Sequence, residues 1–263
     1  MNEREQLALE ALKASKDYAD ICPETVERVF AENLGKYKKL KDADKAARAQ
    51  LHAITGAFLS REELNQARAA FERWRQGEEA ALNQLLSAHS STRERLRGAD
   101  ELYDRLFQFS GHPARVLDLA CGLNPIYLGA RGVSGVTGID IHGGCVRLIN
   151  DCAAACGWDV SARLGDLMGE TPADECDLAL VMKLLPVLEA QKTGTSARLL
   201  TQLRARFLAV TFPTRTLGGR GVGMEKHYSE WFERVCPPEI AIRERFIAAD
   251  ELIYLLEKPP RHQ

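Results

Sequence analysis

The chain has 263 residues, 45% hydrophobic and 27% charged, the make-up of an ordinary soluble globular protein with room for a Rossmann-sized domain and a smaller one. Thirty-five Lys and Arg nearly balance 37 Asp and Glu, so a global basic footprint for nucleic acid is excluded, although Lys36, Lys38, Lys39, Lys41, Lys45 and Arg48 fall close together. No run approaches the roughly 18–20 apolar residues of a membrane span. The charged N-terminus lacks the apolar core of a signal peptide. Seven cysteines without a Cys-x-x-Cys or a completed ligand set predict free thiols in a reducing, cytoplasmic compartment and no metal.

Residues 1–100 predict helices throughout. LALEALKAS, PETVERVFAENL, DKAARAQLHAITGAFL, REELNQARAAFERWRQ and EAALNQLLSAH place apolar residues three and four apart. Pro23 suits a first helical turn, and Ser60 with Glu63 has capping-box spacing. Ser91 with Glu94 has the same spacing, which predicts another helix start. This segment reads as a helical N-terminal domain, with 101–263 as the catalytic domain.

From residue 113 short apolar runs alternate with helical stretches. Strands are expected at 114–120, 135–141, 160–166, 176–183 and 206–213, followed by an antiparallel hairpin from 240–248 and 251–258. That order implies α/β architecture: a parallel sheet with right-handed crossovers closed by a hairpin, as in a Rossmann-like methyltransferase.

The first strand runs into Asp118-Leu-Ala-Cys-Gly122, a turn whose small residues let backbone amides approach a ligand. It lacks Gly-x-Gly-x-x-Gly, which disfavours a pyrophosphate and suits S-adenosyl-L-methionine. Asp140 ends the second strand 18 residues after Gly122, a spacing that suits the ribose hydroxyls. Asp166 and Leu167, after the third strand, are placed for the adenine amine and ring face. A helix start near His89 suits the methionine carboxylate, with Arg95 as counter-charge.

The acceptor side is read from what it lacks. The fourth strand ends Met182-Lys183-Leu184-Leu185-Pro186, without the Cys of a pyrimidine-C5 enzyme or the Asn/Asp-Pro-Pro-aromatic turn of an amine methylase. A hydroxyl acceptor calls for a general base; His142 is the candidate, beside the expected ribose site. A purine N7 has a free lone pair and needs only positioning. Lys183 either holds a phosphate or flipped base, or snorkels to solvent. The segment 212–224, with four glycines and two arginines, reads as a loop that clamps RNA or simply as a flexible surface loop.

Together LHAITGAFLS, LLSAHSSTRERL, RVLDLACGLNP, GIDIH, LVMKLLPVLE, VTFPTRTLGGRGVGM and ELIYLLEK resemble the aminoglycoside-resistance 16S rRNA (guanine-N7) methyltransferases, over about residues 51–258 in matching order. The resemblance implies a helical domain that docks on 16S rRNA in the 30S subunit, and N7 methylation of a decoding-site guanine that leaves the drug without a fit. It implies cofactor contacts at Phe58, His89, Ser90 and Ser91 before the first strand, and at Arg95 and Gly122. Asp140, Asp166, Leu167, Met182 and Gln191 complete that set. Lys183, Arg215 and Arg220 fall on the RNA side, with Lys36, Lys38 and Lys39 as further RNA contacts. The rival readings are a small-molecule methyltransferase with the helices as a lid, and a non-catalytic cofactor-binding RNA module.

Overall fold

The computed structural model describes residues 1–55, 59–214 and 223–260. Helices fill the first part: α1 (Glu3–Lys13), α2 (Pro23–Lys36), α3 (Leu40–Thr55), α4 (Arg61–Arg75), α5 (Ala80–Ser87), α6 (Ser90–Arg95) and α7 (Ala99–Ser110). Pro23 opens α2, as its missing N–H favours. Ser60 and Glu63 form the expected reciprocal cap of α4, the Ser60 side chain accepting from the Glu63 N–H and the Glu63 carboxylate from the Ser60 N–H. The cap expected from Ser91 and Glu94 does not form. Helix α6 starts two residues earlier, with His89 rather than Ser91 as N-cap and no side-chain capping bond. A cation on another element draws Glu94 away, since Lys183 Nζ donates to its carboxylate at 2.5 Å.

The second part alternates as expected except between β3 and β4, which no helix separates: β1 (Val116–Leu119), α8 (Asn124–Ala130), β2 (Val136–Asp140), α9 (Gly143–Cys156), β3 (Val160–Leu164), β4 (Glu175–Met182), α10 (Leu185–Gln191), α11 (Thr195–Gln202), β5 (Arg204–Pro213), α12 (Met224–Val235), β6 (Ala241–Ala248) and β7 (Glu251–Glu257). The sheet order is β3-β2-β1-β4-β5-β7-β6. Strands β1 to β5 run parallel, and β7 inserts antiparallel between β5 and β6. Ala249 and Asp250, both at positive φ, make the two-residue turn between β6 and β7. Because β1 lies between β2 and β4, the strand order reverses there. In such a sheet that opens a crevice at the carboxyl ends of the strands.

Three cores hold the molecule. Leu117, Leu119, Val181, Leu199 and Phe232 belong to the core between the sheet and α10–α12. On the other sheet face, Leu64, Phe71, Leu85, Tyr103 and Ile149 share a core with Val116, Val136 and Leu180. Val116 and Leu117 fall in different cores, as the alternation of a strand requires. Leu9, Leu12, Val26, Phe30, Ala47 and Leu51 form a third core within α1–α3. The first 100 residues are therefore divided: α1–α3 pack on themselves, whereas α4, α5 and α7 pack on the sheet.

Helices α1–α3 dock at the carboxyl edge of β2. The Cys22 N–H donates to Ile141 O at 2.7 Å, the Gly143 N–H to Asp20 O at 2.6 Å, and Arg147 pairs with Asp20 at 2.7 Å. All seven cysteines are free. No helix among the described residues is long and apolar enough to cross a membrane.

At the far end of the sheet, buried Lys258 caps α11. Its Nζ donates to Leu200 O, Thr201 O and Leu203 O at 2.7–2.9 Å. Lys258→Met leaves these carbonyls without that donor and is expected to cost about 3 kcal/mol, measured as a lower urea midpoint at unchanged slope. On β1, burial pushes the Asp118 carboxyl up to about 7, against the Asn124 side chain that donates to it. With its folded pKa raised, Asp118 contributes stability that is fully present below about pH 4 and lost as pH rises through about 7. In urea titrations, stability relative to Asp118→Asn is expected to shift in favour of the variant across that window.

Candidate active site

Four strand ends build one cavity of about 790 Å³ at the carboxyl edge of the sheet. After β1 the chain turns through Ala120 and Gly122, both at positive φ. Asp140, at the end of β2, ties this turn down. Its carboxylate accepts from the Gly122 N–H and the His142 N–H, both at 2.9 Å. A Cβ on Gly122 would stand 2.7 Å from the His89 ring, so glycine is needed for backbone angle and for space alike. His89 is buried, and desolvation lowers its pKa so that the ring is neutral near pH 7.

On the β3 side, Gly165, Asp166, Leu167 and Met168 form a wall of the cavity. Arg198 holds that wall from behind by donating to Leu167 O, Met168 O and Gly169 O at 2.8–3.2 Å. The Asp166 carboxylate accepts from the Met168 N–H at 2.9 Å and from Arg28 Nε at 2.7 Å. Gln191, at the end of α10, also lines the cavity.

On the β4 side, Met182 accepts from the Tyr103 hydroxyl at 3.3 Å. Lys183 follows at φ 54°, a left-handed conformation uncommon for a side-chain-bearing residue, with its N–H donating to Thr211 O. Its Nζ contacts Glu94 and stands 3.7 Å from Glu251. The sequence left Lys183 either in the cleft or in solvent; the cleft and its two carboxylates hold it. Glu251 also pairs with Arg95 at 3.0 Å, both side chains buried. Burial works against the Arg95 charge, but Glu251, Tyr103 and Asp118 together outweigh it and keep its pKa raised.

The structure thus brings His89, Ser90, Ser91, Asp140, Asp166, Leu167, Met182, Lys183 and Gln191 to one cavity. Gly122 lies beneath His89 and acts through its amide. Arg95 is turned to Glu251 and is absent from the cavity lining, which instead carries Arg93, Glu94 and Arg97 from the same segment. Lys36, Lys38 and Lys39 are exposed where α2 leads into α3, and none lines the cavity. Phe58, Arg215 and Arg220 lie outside the described residues. Sequence reasoning missed Thr25, Arg28 and Glu251: the first two read as helix surface, and the third as the polar start of a strand.

Buried polar atoms test whether a cofactor fits. Among the described residues, Thr25 Oγ1, His89 Nδ1 and Glu251 Oε2 are buried without a hydrogen-bond partner, and all three residues line this cavity. Leaving such atoms unpaired costs about 1–3 kcal/mol each, so their concentration around one space fits a ligand carrying donors and acceptors along its length. S-adenosyl-L-methionine has that character, with a purine, a ribose and an amino-acid end. Among the described residues, no group of three His, Cys, Asp or Glu side chains is arranged to hold a metal.

Known proteins share this architecture over nearly the whole chain. A family model described as ribosomal RNA methyltransferase (FmrO) matches residues 14–255. A 16S rRNA (guanine(1405)-N(7))-methyltransferase of Serratia marcescens is 44% identical over 251 residues, covering 95% of this chain and 97% of that one. One of Micromonospora echinospora is 32% identical over 260 residues, 95% of each. The crystal structure of the 16S rRNA methyltransferase RmtF in complex with S-adenosyl-L-homocysteine matches with a TM-score of 0.92 at 60% identity, over 98% of this chain and 100% of that one. With that family model spanning residues 14–255 and relatives 44% and 32% identical over 95% of its length, this chain belongs to the FmrO family of ribosomal RNA methyltransferases.

Proposed function

We infer that this enzyme transfers the methyl group of S-adenosyl-L-methionine to N7 of the decoding-site guanine 1405 of 16S rRNA in the 30S subunit, and so confers aminoglycoside resistance in the bacterial cytoplasm. The observation that carries the reading is the cavity in which the Asp140–Gly122 tie, the Asp166 wall and Lys183 meet. Family membership supports it.

In this reading Asp140 takes the ribose hydroxyls, Asp166 and Gln191 meet the adenine edge, and Leu167 packs on its face. His89, Ser90 and Ser91 stand toward the methionine end. The bound sulfonium supplies an electrophilic methyl group for in-line displacement. N7 attacks with its own lone pair, so no residue has to remove a proton. Transfer to N7 would leave positive charge on the purine ring, so residues that favour such charge there would assist the reaction. Glu94 and Glu251 place carboxylates beside Lys183, where positive charge on a bound acceptor ring would be stabilised. Lys183, held at a fixed angle by its backbone and by Glu94, is the positioning cation for the guanine O6 or its phosphate.

Docking is assigned to the N-terminal helical region, 1–100. Its self-packed unit α1–α3 carries exposed Lys36, Lys38 and Lys39, in line with a phosphate-facing stripe. Arg215 and Arg220 are proposed as further RNA contacts from the segment that follows β5 in sequence.

Purified 30S subunits incubated with methyl-tritiated cofactor are expected to take up one label per subunit, mapped to N7 of guanine 1405. Label on naked 16S rRNA alone would move the substrate to an assembly precursor. Label on neither would sink the reading in favour of a small-molecule acceptor. Lys183→Ala is expected to lower kcat/KM for 30S subunits at least tenfold, about 1.4 kcal/mol or more of transition-state stabilisation, with binding of S-adenosylhomocysteine within about threefold of wild type. Equal losses in both measurements would remove Lys183 from the acceptor side.

A further inference from the structure

Helix α2 belongs by its core to the α1–α3 unit, yet one of its faces looks into the cavity. Thr25 and Arg28 are one turn apart on that face. Arg28 spans the gap between two other elements. Its Nε donates to Asp166 Oδ2 at 2.7 Å, on the loop after β3, and its Nη2 donates to Gln191 Oε1 at 3.2 Å, at the end of α10. The remaining arm, Nη1, is held by Glu32 at 3.1 Å one turn further along α2. A guanidinium presents its donors in a rigid plane, so this one side chain sets the orientation of a carboxylate and a carboxamide together. The pair is well shielded, with side-chain exposures of 18% for Arg28 and 7% for Asp166. An ionised carboxylate has about four acceptor sites. After Arg28 and the Met168 N–H, Asp166 therefore keeps capacity for a further donor from the cavity.

A second observation points to a ligand against the same helix face. Thr25 is 1% exposed, its Oγ1 has no hydrogen-bond partner, and it lines the cavity.

We propose that Arg28 is a positioning residue of the cofactor site, holding Asp166 and Gln191 so that they read the exocyclic amine of the adenine, and that Thr25 gives its hydroxyl to the same ligand. This rests on the placement of adenine beside Asp166 argued above. The docking unit then contributes a wall of the cofactor pocket as well as a surface for RNA. Selectivity at the purine 6-position follows: a 6-oxo purine turns an acceptor toward the oriented Asp166 carboxylate, where the amine would donate.

Calorimetric binding of S-adenosylhomocysteine and of S-inosylhomocysteine to the full-length protein tests this. Wild type is expected to prefer the adenosyl ligand at least tenfold. Arg28→Ala is expected to bind it about tenfold more weakly and to lose most of the preference, with Arg28→Lys recovering part of both. Thr25→Val is expected to weaken it about fivefold. In an Asp166→Ala, Gln191→Ala background, Arg28→Ala should add less than about twofold, because Arg28 acts through those two side chains. Should Arg28→Ala not fold, Arg28→Lys carries the same comparison. A wild-type preference retained in the Arg28 variant, or an Arg28→Ala loss undiminished in the background that lacks both Asp166 and Gln191 side chains, would overturn the inference. Wild type that binds the adenosyl ligand without preferring it would overturn the placement of the adenine amine, and this inference with it.

Discussion

The carboxylate of Asp140 is the point on which the site depends. By accepting the amides of Gly122 and His142 it joins the turn after β1 to the turn after β2. That bond requires a backbone at positive φ and a residue without a Cβ, because the His89 ring fills the space above Gly122. His89 in turn is the N-cap of α6, the helix that brings Glu94 and Arg95 toward β4 and β7. A change at Asp140 or Gly122 therefore reaches from the β2 side of the cavity to Lys183 on its β4 side.

The acceptor end depends on charge pairing in a shielded place. Glu251 is shared by Arg95 and Lys183, and Glu94 takes the other side of Lys183. Truncating one member of such a cluster leaves another uncompensated, which is why its residues are poor single-site probes of function unless the variant's stability is measured alongside. The cluster also gives Lys183 a fixed place without a covalent or metal anchor, and backbone geometry reinforces it through the left-handed conformation and the bond to Thr211.

The strands were legible to within a few residues because parallel strands are short and apolar, and all but β3 and β4 are separated by helices. The β6–β7 hairpin was legible because the two runs lie too close together for a crossover. The same local logic failed at Ser91 and Glu94: capping spacing is a local property, and a cation from β4, 89 positions away in sequence, won the glutamate. It also failed for Arg28. On α2 it sits among Glu24, Glu27 and Glu32 and reads as a solvated helix face; only the docking of α1–α3 on the edge of β2 carries it to Asp166.

The sequence by itself determined the α/β order, the glycine at the cofactor turn, the acidic strand ends and, through motif resemblance, the class of reaction. These follow from periodicity and from steric rules that act within a few residues. Tertiary structure alone decided how the first 100 residues divide between two cores, which partners Glu94, Arg95 and Lys183 take, and that α2 lines the cavity at the strand ends. Those outcomes are set by contacts between residues far apart in the chain, where burial and charge choose among partners that local spacing leaves equivalent.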